Sequence, residues 1–320
     1  MARTKRLKIK GQQSFYHITS RTAGQLYLLG DFEKENLLRI IKYYTGFYFV
    51  KVLGFCIMNN HFHLLIQSVP EKDYDDEELV RRLKKYVKRT RANHLSSPGL
   101  RRYRKKLEDI SEYVKSIKQT FSRWYNKENN RTGYLWGDRF KSVMLEEGNA
   151  LLACQAYIEL NPVRAGIVKV PEEYRWSSIS YRLGRGNRDQ FLSFDDVFFK
   201  EGTSPKKILS TYRHMVYKAG NIKTFTLADL EEGRVEGRRQ GISDEIYDFE
   251  LKRQFTLPKG DMLLKRIRYF SDGLVIGSKE FIHKAYHRFG GDVILKKDRN
   301  AHKTGLDDRI LSLRKLKIPI

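Results

Sequence analysis

Two histidines set two residues apart, His61 and His63, open the apolar run Leu64-Leu65-Ile66. In a strand that spacing turns both imidazoles to one face, while Phe62, Leu64 and Ile66 turn to the other. Two neutral imidazoles on one side of a sheet are half of a site for a divalent metal ion. Taken alone, such a pair serves equally well as half-buried histidines bonded to the backbone, so the rest of the chain has to supply further ligands. Tyr157 and Asn161 stand four residues apart in a stretch with helical character. That spacing brings a phenol hydroxyl and an amide oxygen to one face at a helix end. Packing is the more common use of a tyrosine there.

The elements that must position these groups can be read from pattern. Residues 14–22 are rich in β-branched and aromatic types and predict a strand, with His17 either facing the metal or serving a structural role. Asp31 is placed to cap a helix over Phe32 to Tyr44, whose apolar residues Leu37, Leu38, Ile41 and Tyr44 recur at helical spacing. Asn59-Asn60 tolerates the positive φ angles of a two-residue hairpin turn, which makes Phe47 to Ile57 the partner strand of His61 to Ser68. The order is therefore β-α-β-β. Helices are expected from about Glu77, over Ile110 to Lys127, and over Asn149 to Leu160. Pro162 disfavours helical backbone at Asn161 and should end or bend the last of these. Beyond a linker at residues 184–189, residues 205–218 and 243–256 read as helices. Residues 263–289 permit two short helices about a Ser-Asp-Gly turn, a pattern open to a helix-turn-helix DNA reader or to plain packing.

Charge narrows the partners. With 62 lysines and arginines against 38 acidic residues, the formal net charge is +24. Self-repulsion on that scale is relieved by a polyanion, and nucleic acid fits better than membrane because no basic amphipathic helix with an aromatic anchor stands out. Twelve of the basic residues lie between Arg81 and Lys106. Arg81, Arg82, Lys84 and Lys85 begin this run, which is either a phosphate-tracking surface or a solvated helical hairpin. The segment Arg131 to Phe140 mixes Arg131 and Arg139 with aromatic rings, a combination that suits a single strand, where bases stack on rings and guanidinium groups hold phosphates. A structural aromatic cluster accounts for the rings equally well. Two cysteines, a basic N-terminus without an apolar signal region and no long apolar run fit a cytoplasmic, nucleoid-associated protein without a membrane partner.

Taken together, three blocks resemble the single-tyrosine HUH transposases, and in particular the REP-associated tyrosine transposases. They are Met58-x-Asn60-His61-Phe62-His63-Leu64-Leu65, Arg131-x-Gly133-x-x-Trp136-x-x-Arg139-Phe140 and Tyr157-Ile158-x-x-Asn161-Pro162-Val163-x-Ala165-Gly166. Tyr174-x-Trp176-Ser177-Ser178 adds a fourth. The resemblance implies an α+β fold: a ferredoxin-like antiparallel sheet with helices packed on it over residues 1–184, followed by a mostly helical region over 185–320 that is open to DNA binding. It also implies that His61, His63 and Asn161 hold Mg²⁺ or Mn²⁺ and that Tyr157 attacks single-stranded or hairpin DNA to give a 5′-phosphotyrosine. Family members commonly have proline where Asn59 stands.

Two functions of different class follow. One is a metal-dependent single-strand endonuclease and strand transferase, acting as a monomer or homodimer. The other is a module of the same fold that grips DNA hairpins and regulates without cutting. Having His61, His63, Tyr157 and Asn161 together favours the enzyme, because a pure binder needs no nucleophile. A zinc hydrolase ranks third, since neither cysteine stands in a zinc-binding pattern.

Overall fold

A computed structural model describes residues 11–70, 73–86, 97–185, 187–193, 199, 202–221 and 241–256, and three short strands within 273–314. Four strands form one antiparallel sheet: β1 (Ser14–Arg21), β2 (Val50–Ile57), β3 (His61–Ser68) and β4 (Lys141–Leu145). Their order across the sheet is β2-β3-β1-β4, the ferredoxin-like arrangement, so the histidine strand β3 and β1 are its two central members. Helix α1 (Asp31–Thr45) connects β1 to β2. Between β3 and β4 lie α2 (Asp76–Tyr86), α3 (Ser97–Glu108) and α4 (Ile110–Glu128). The α+β class and the β-α-β-β order expected from the sequence both hold.

The sheet is covered on both faces. Helices α1 and α4 pack together over the side that carries Phe62, where Trp136 bridges Phe62 and Phe121. Helix α5 (Asn149–Glu159) lies against β2 and β3 on the histidine side. It is followed at once by the short α6 (Asn161–Arg164). Phe62, Leu64, Leu65 and Ile66 are all fully buried, which is why β3 reads as a continuous apolar run rather than an alternating one.

Several local expectations are corrected. Gly30, not Asp31, stands at the N-cap of α1, and Asp31 instead places its charge in the first turn. Neither Asn59 nor Asn60 has positive φ. The turn is held by bonding to the 22–29 segment: Leu29 N–H donates to Asn59 O (2.8 Å), Thr22 N–H to Asn60 O (2.9 Å) and Asn60 Nδ2 to Gln25 O (2.9 Å). Lys34 Nζ donates to Asn59 Oδ1 (2.6 Å). Asparagine is favoured here for its side-chain amide, a use that the turn signal cannot distinguish from tolerance of left-handed backbone. Pro162 does not push Asn161 out of helical geometry. Instead α5 stops at Glu159, and Asn161 with Pro162 starts the next helical turn, where a missing N–H costs nothing.

The segment Tyr174 to Ser178 closes the free edge of β2. Ile57 N–H donates to Trp176 O (2.9 Å), Tyr174 Oη donates to Ile57 O (2.7 Å), and Cys56 bridges Ser177. Beyond it come α7 (Ser178–Arg185), α8 (Pro205–Asn221) and α9 (Asp244–Lys252). Helix α8 packs on α5, and Tyr212, Val216 and Tyr217 belong to the same buried cluster as the sheet. The chain adds a small sheet of β5 (Gly273–Gly277), β6 (His302–Lys303) and β7 (Leu311–Arg314) in the order β5-β7-β6. The flanking helices expected within 263–289 fall outside the described residues. The Leu-Val-Ile run between two glycines forms a strand, as β-branched residues favour. Among the described residues no helix is long and apolar enough to cross a membrane.

Candidate active site

Strand register assembles the site. Thr19 of β1 pairs with His63 of β3, Arg21 pairs with His61, and Cys56 of β2 pairs with His63 from the other side. Because side chains alternate along a strand, His17, Thr19 and Arg21 share a face with His61 and His63. The His61 and His63 rings lie 4.9 Å apart, as the i, i+2 spacing requires. His17 stacks on His63 at 5.1 Å, with its Nε2 2.9 Å from His63 Nδ1, and Thr19 Oγ1 stands 3.2 Å from the same nitrogen.

The two histidines of the pair are each oriented by a polar neighbour. Asn60 Oδ1 lies 2.6 Å from His61 Nδ1 and accepts its proton, which leaves the His61 Nε2 lone pair outward. His17 does the same for His63: when His63 Nδ1 donates to it, a lone pair is presented at His63 Nε2. That atom is buried and has no hydrogen-bond partner among the described residues. Burial lowers the pKa of His17 and of His61 to about 4, and it holds His63 well below the ordinary histidine value, helped by the neighbouring histidines and Arg21. All three rings are thus neutral in ordinary solution, the form that can donate a lone pair to a metal. His17, read from the sequence as either facing the metal or structural, is an orienting partner. Its place could not be read before the β1–β3 register was known.

Helix α5 brings Tyr157 over this cluster. The Tyr157 ring stands edge-on to His63 at 5.8 Å and to His17 at 5.9 Å, and about a third of the residue is exposed. Arg164 of α6 sets its guanidinium 5.4 Å from the Tyr157 ring centre. Asn161 lies one turn beyond Tyr157, with its Nδ2 donating to the Tyr157 carbonyl (2.9 Å). Of the two other tyrosines in arginine-rich surroundings, Tyr125 is buried in the core and Tyr134 is almost fully exposed. Neither is in ring contact with a histidine among the described residues.

The opposite side of α5 is fixed by a buried polar network. Gln155 lies against Gly54 of β2, and Glu159 accepts hydrogen bonds from Gln155 Nε2 (2.9 Å), Ser178 Oγ (2.6 Å), the Ile179 N–H (3.0 Å) and Tyr212 Oη. Ser178 also takes the Phe55 N–H (2.8 Å), tying the helix to β2. None of this is visible in motif spacing, since the partners come from β2, α7 and α8.

The orphaned Nε2 of His63 and the outward Nε2 of His61 fit a divalent cation with a nitrogen–oxygen ligand set. Among the described residues no three His, Cys, Asp or Glu side chains converge as a metal site. Among the described residues, Asn161 is the amide that stands next to Tyr157 on the same stretch of chain.

The expected DNA contacts separate. Arg82 is engaged inside the protein, pairing with Glu78 (2.6 Å), donating to Tyr48 O (2.8 Å) and covering the Tyr74 ring at 4.7 Å. It ties α2 to the segment that precedes β2, contrary to its expected place on a phosphate-tracking surface. Arg81 is mostly exposed beside Glu78, Lys84 is exposed, and the Lys85 side chain lies outside the described set. Arg139 is exposed and Arg131 half-buried.

The residues from β1 to α3 carry the transposase resemblance: the family model described as Transposase IS200 like matches residues 11–105. Two solved structures are similar to this chain. One is a REP-associated tyrosine transposase bound to a REP hairpin, at 16% identity over 64% of this chain and 94% of that one, with a TM-score of 0.41. The other is a candidate transposase from Deinococcus radiodurans R1, at 17% identity over 49% of this chain and 96% of that one, with a TM-score of 0.28. No curated protein matches this chain.

Proposed function

We propose that this chain is a transposase that cuts and rejoins single-stranded DNA through Tyr157, with His61, His63 and Asn161 holding Mg²⁺ or Mn²⁺. The observation that carries the reading is Tyr157 standing edge-on to two of three neutral, convergent histidines, one with an orphaned buried nitrogen. A bound divalent ion would polarise the scissile phosphate and offset charge building on it. Tyr157 Oη attacks phosphorus. The new bond is tyrosyl O–P, the P–O3′ bond breaks, the 3′ oxygen takes up a proton, and the phenol proton passes to water. The products are a 5′-phosphotyrosine and a 3′-hydroxyl, and reversal rejoins strands without ATP. Arg164, over the Tyr157 ring, and Arg21, the register partner of His61, would supply positive charge near the reacting phosphate. Asn60 and His17 hold the two imidazoles in the tautomer that leaves Nε2 available.

We place the chemistry within residues 1–184 and give residues 185–320 a supporting role through α8, with DNA binding by the last segment as a further proposal. Substrates that form hairpins suit the positive surface and the family resemblance.

The test is to incubate the protein with single-stranded hairpin oligonucleotides and Mn²⁺ and look for a denaturation-resistant protein–DNA adduct. Wild type should form it, and Tyr157→Phe should bind the same DNA without forming it, because only one oxygen is lost. An adduct that persists in Tyr157→Phe and disappears in Tyr125→Phe would overturn the assignment. A wild type that binds hairpins and never forms an adduct would leave the non-cleaving module as the function.

A further inference from the structure

Helix α1 buries a cation that has no carboxylate partner. Lys34 is 4% exposed, and among the described residues its ammonium forms no ion pair. Burial holds that ammonium below the ordinary lysine range, although Asp31, Cys56 and Glu33 pull the other way.

Two rings and one amide surround it instead. Lys34 Nζ stands 4.4 Å from the centre of the Trp176 ring and 5.4 Å from that of Tyr174. It donates to Asn59 Oδ1 at 2.6 Å. Ring faces attract a cation, but burying a charge without a counter-charge is unfavourable. A methionine of similar length would fill the same space without that penalty. The use of the charge therefore lies in what it grips.

It grips the turn that leads into the histidine strand. Before the turn, Ile57 ends β2, and the segment that carries the two rings is fastened to it: Tyr174 Oη donates to Ile57 O (2.7 Å) and Ile57 N–H to Trp176 O (2.9 Å). Within the turn, Asn59 is held at two points, its carbonyl by Leu29 N–H (2.8 Å) and its side chain by Lys34. One peptide further on, Asn60 Oδ1 accepts the proton of His61 Nδ1 (2.6 Å). A shift of Asn59 is thus passed by the backbone to the amide that sets the His61 ring.

We propose that Lys34 is a positioning residue for His61: its ammonium, boxed by Tyr174 and Trp176, fixes the turn at Asn59 so that Asn60 holds the imidazole with Nε2 outward. Its bearing on metal binding rests on the reading of His61 as a ligand. Its bearing on the ring itself does not.

The test uses the full chain and two readouts. Nuclear magnetic resonance of nitrogen-labelled histidine, recorded without metal, follows exchange of the His61 Nδ1–H with water. Calorimetric titration follows Mn²⁺ binding. Lys34→Met keeps the stem and drops the charge. It should speed exchange of that proton and weaken Mn²⁺ binding roughly tenfold, the scale of losing an outer partner of a ligand. The urea midpoint should not fall. Asn59→Ala removes only the acceptor, should have the same effects, and carries the test if Lys34→Met does not fold. The double variant should be no worse than the weaker single, because both changes break one bond. An unchanged His61 proton in both single variants overturns the proposal, as do losses that multiply in the double variant or that follow a fall in the urea midpoint. If wild type binds Mn²⁺ and both variants match it in affinity and exchange, the positioning role fails and the ligand reading stands. If wild type binds no Mn²⁺ but the variants free the His61 proton, the ligand reading fails and the positioning role stands.

Discussion

A methyl group added at Gly54 would lie 2.1 Å from Gln155 Oε1 and 2.6 Å from its Cδ, both fully enclosed. Gly54→Ala should therefore destabilise the protein by about 1–3 kcal/mol, the usual range for overpacking a close-packed site. Urea unfolding would measure it, and an unchanged midpoint would show that Gln155 can step aside. Because Gln155 is two residues from Tyr157, adduct formation should fall further than unfolding alone explains. Asn60 makes a second test at this scale. If His61 is a ligand, Asn60→Ala frees its ring to rotate and should weaken Mn²⁺ binding about 10- to 100-fold, as losses of outer partners do. Calorimetric titration showing equal affinity would count against the ligand role. The His61 and His63 pair was legible in sequence because a period of two is fixed by strand geometry alone. His17 was not, because its relation to His63 is diagonal across two strands whose register no local pattern states.

Helix α5 is held from both sides, by the imidazole cluster and by the Gln155–Glu159 network, and α8 reaches that network through Tyr212. Helix α8 is itself fixed by a buried charge: Arg213 is 1% exposed and pairs with Glu172 (2.6 Å) and Glu250 (2.9 Å). Removing one side of such a group leaves the others buried without a partner, so Arg213→Ala should cost about 3–5 kcal/mol. A denaturant midpoint close to wild type would mean that water replaces the arginine at little expense. The existence of α8 and α9 could be read from their spacing. Their buried arginine and glutamates could not, since composition treats charged residues as solvent-facing. The Tyr174 to Ser178 block was visible as a family resemblance, but its work as an edge cover for β2 and an anchor for Glu159 appears only once the sheet is assembled.

Across the molecule, the net charge of +24 sets an expectation for any polyanionic partner. Affinity for single-stranded hairpin DNA should fall steeply with salt, and neutralising Arg81, Lys84 and Lys85 together should flatten the slope of log K against log salt. An unchanged slope would assign that helix face to solvent alone. Arg82→Ala should instead lower stability, because that side chain is tied to Glu78 and Tyr48. The sheet order β2-β3-β1-β4 places both histidine-bearing strands in the middle, and both precede Tyr157 in the chain. Domains generally fold as units, the N-terminal one first during synthesis. The histidine strands therefore leave the ribosome before α5, and α5 is not fully braced until Ser178 and Tyr212 have emerged. A polypeptide interrupted between Tyr157 and Tyr212 would carry the imidazoles and the tyrosine without the full brace that aligns them. On the proposed chemistry, such an abandoned translation product would be unable to cut DNA.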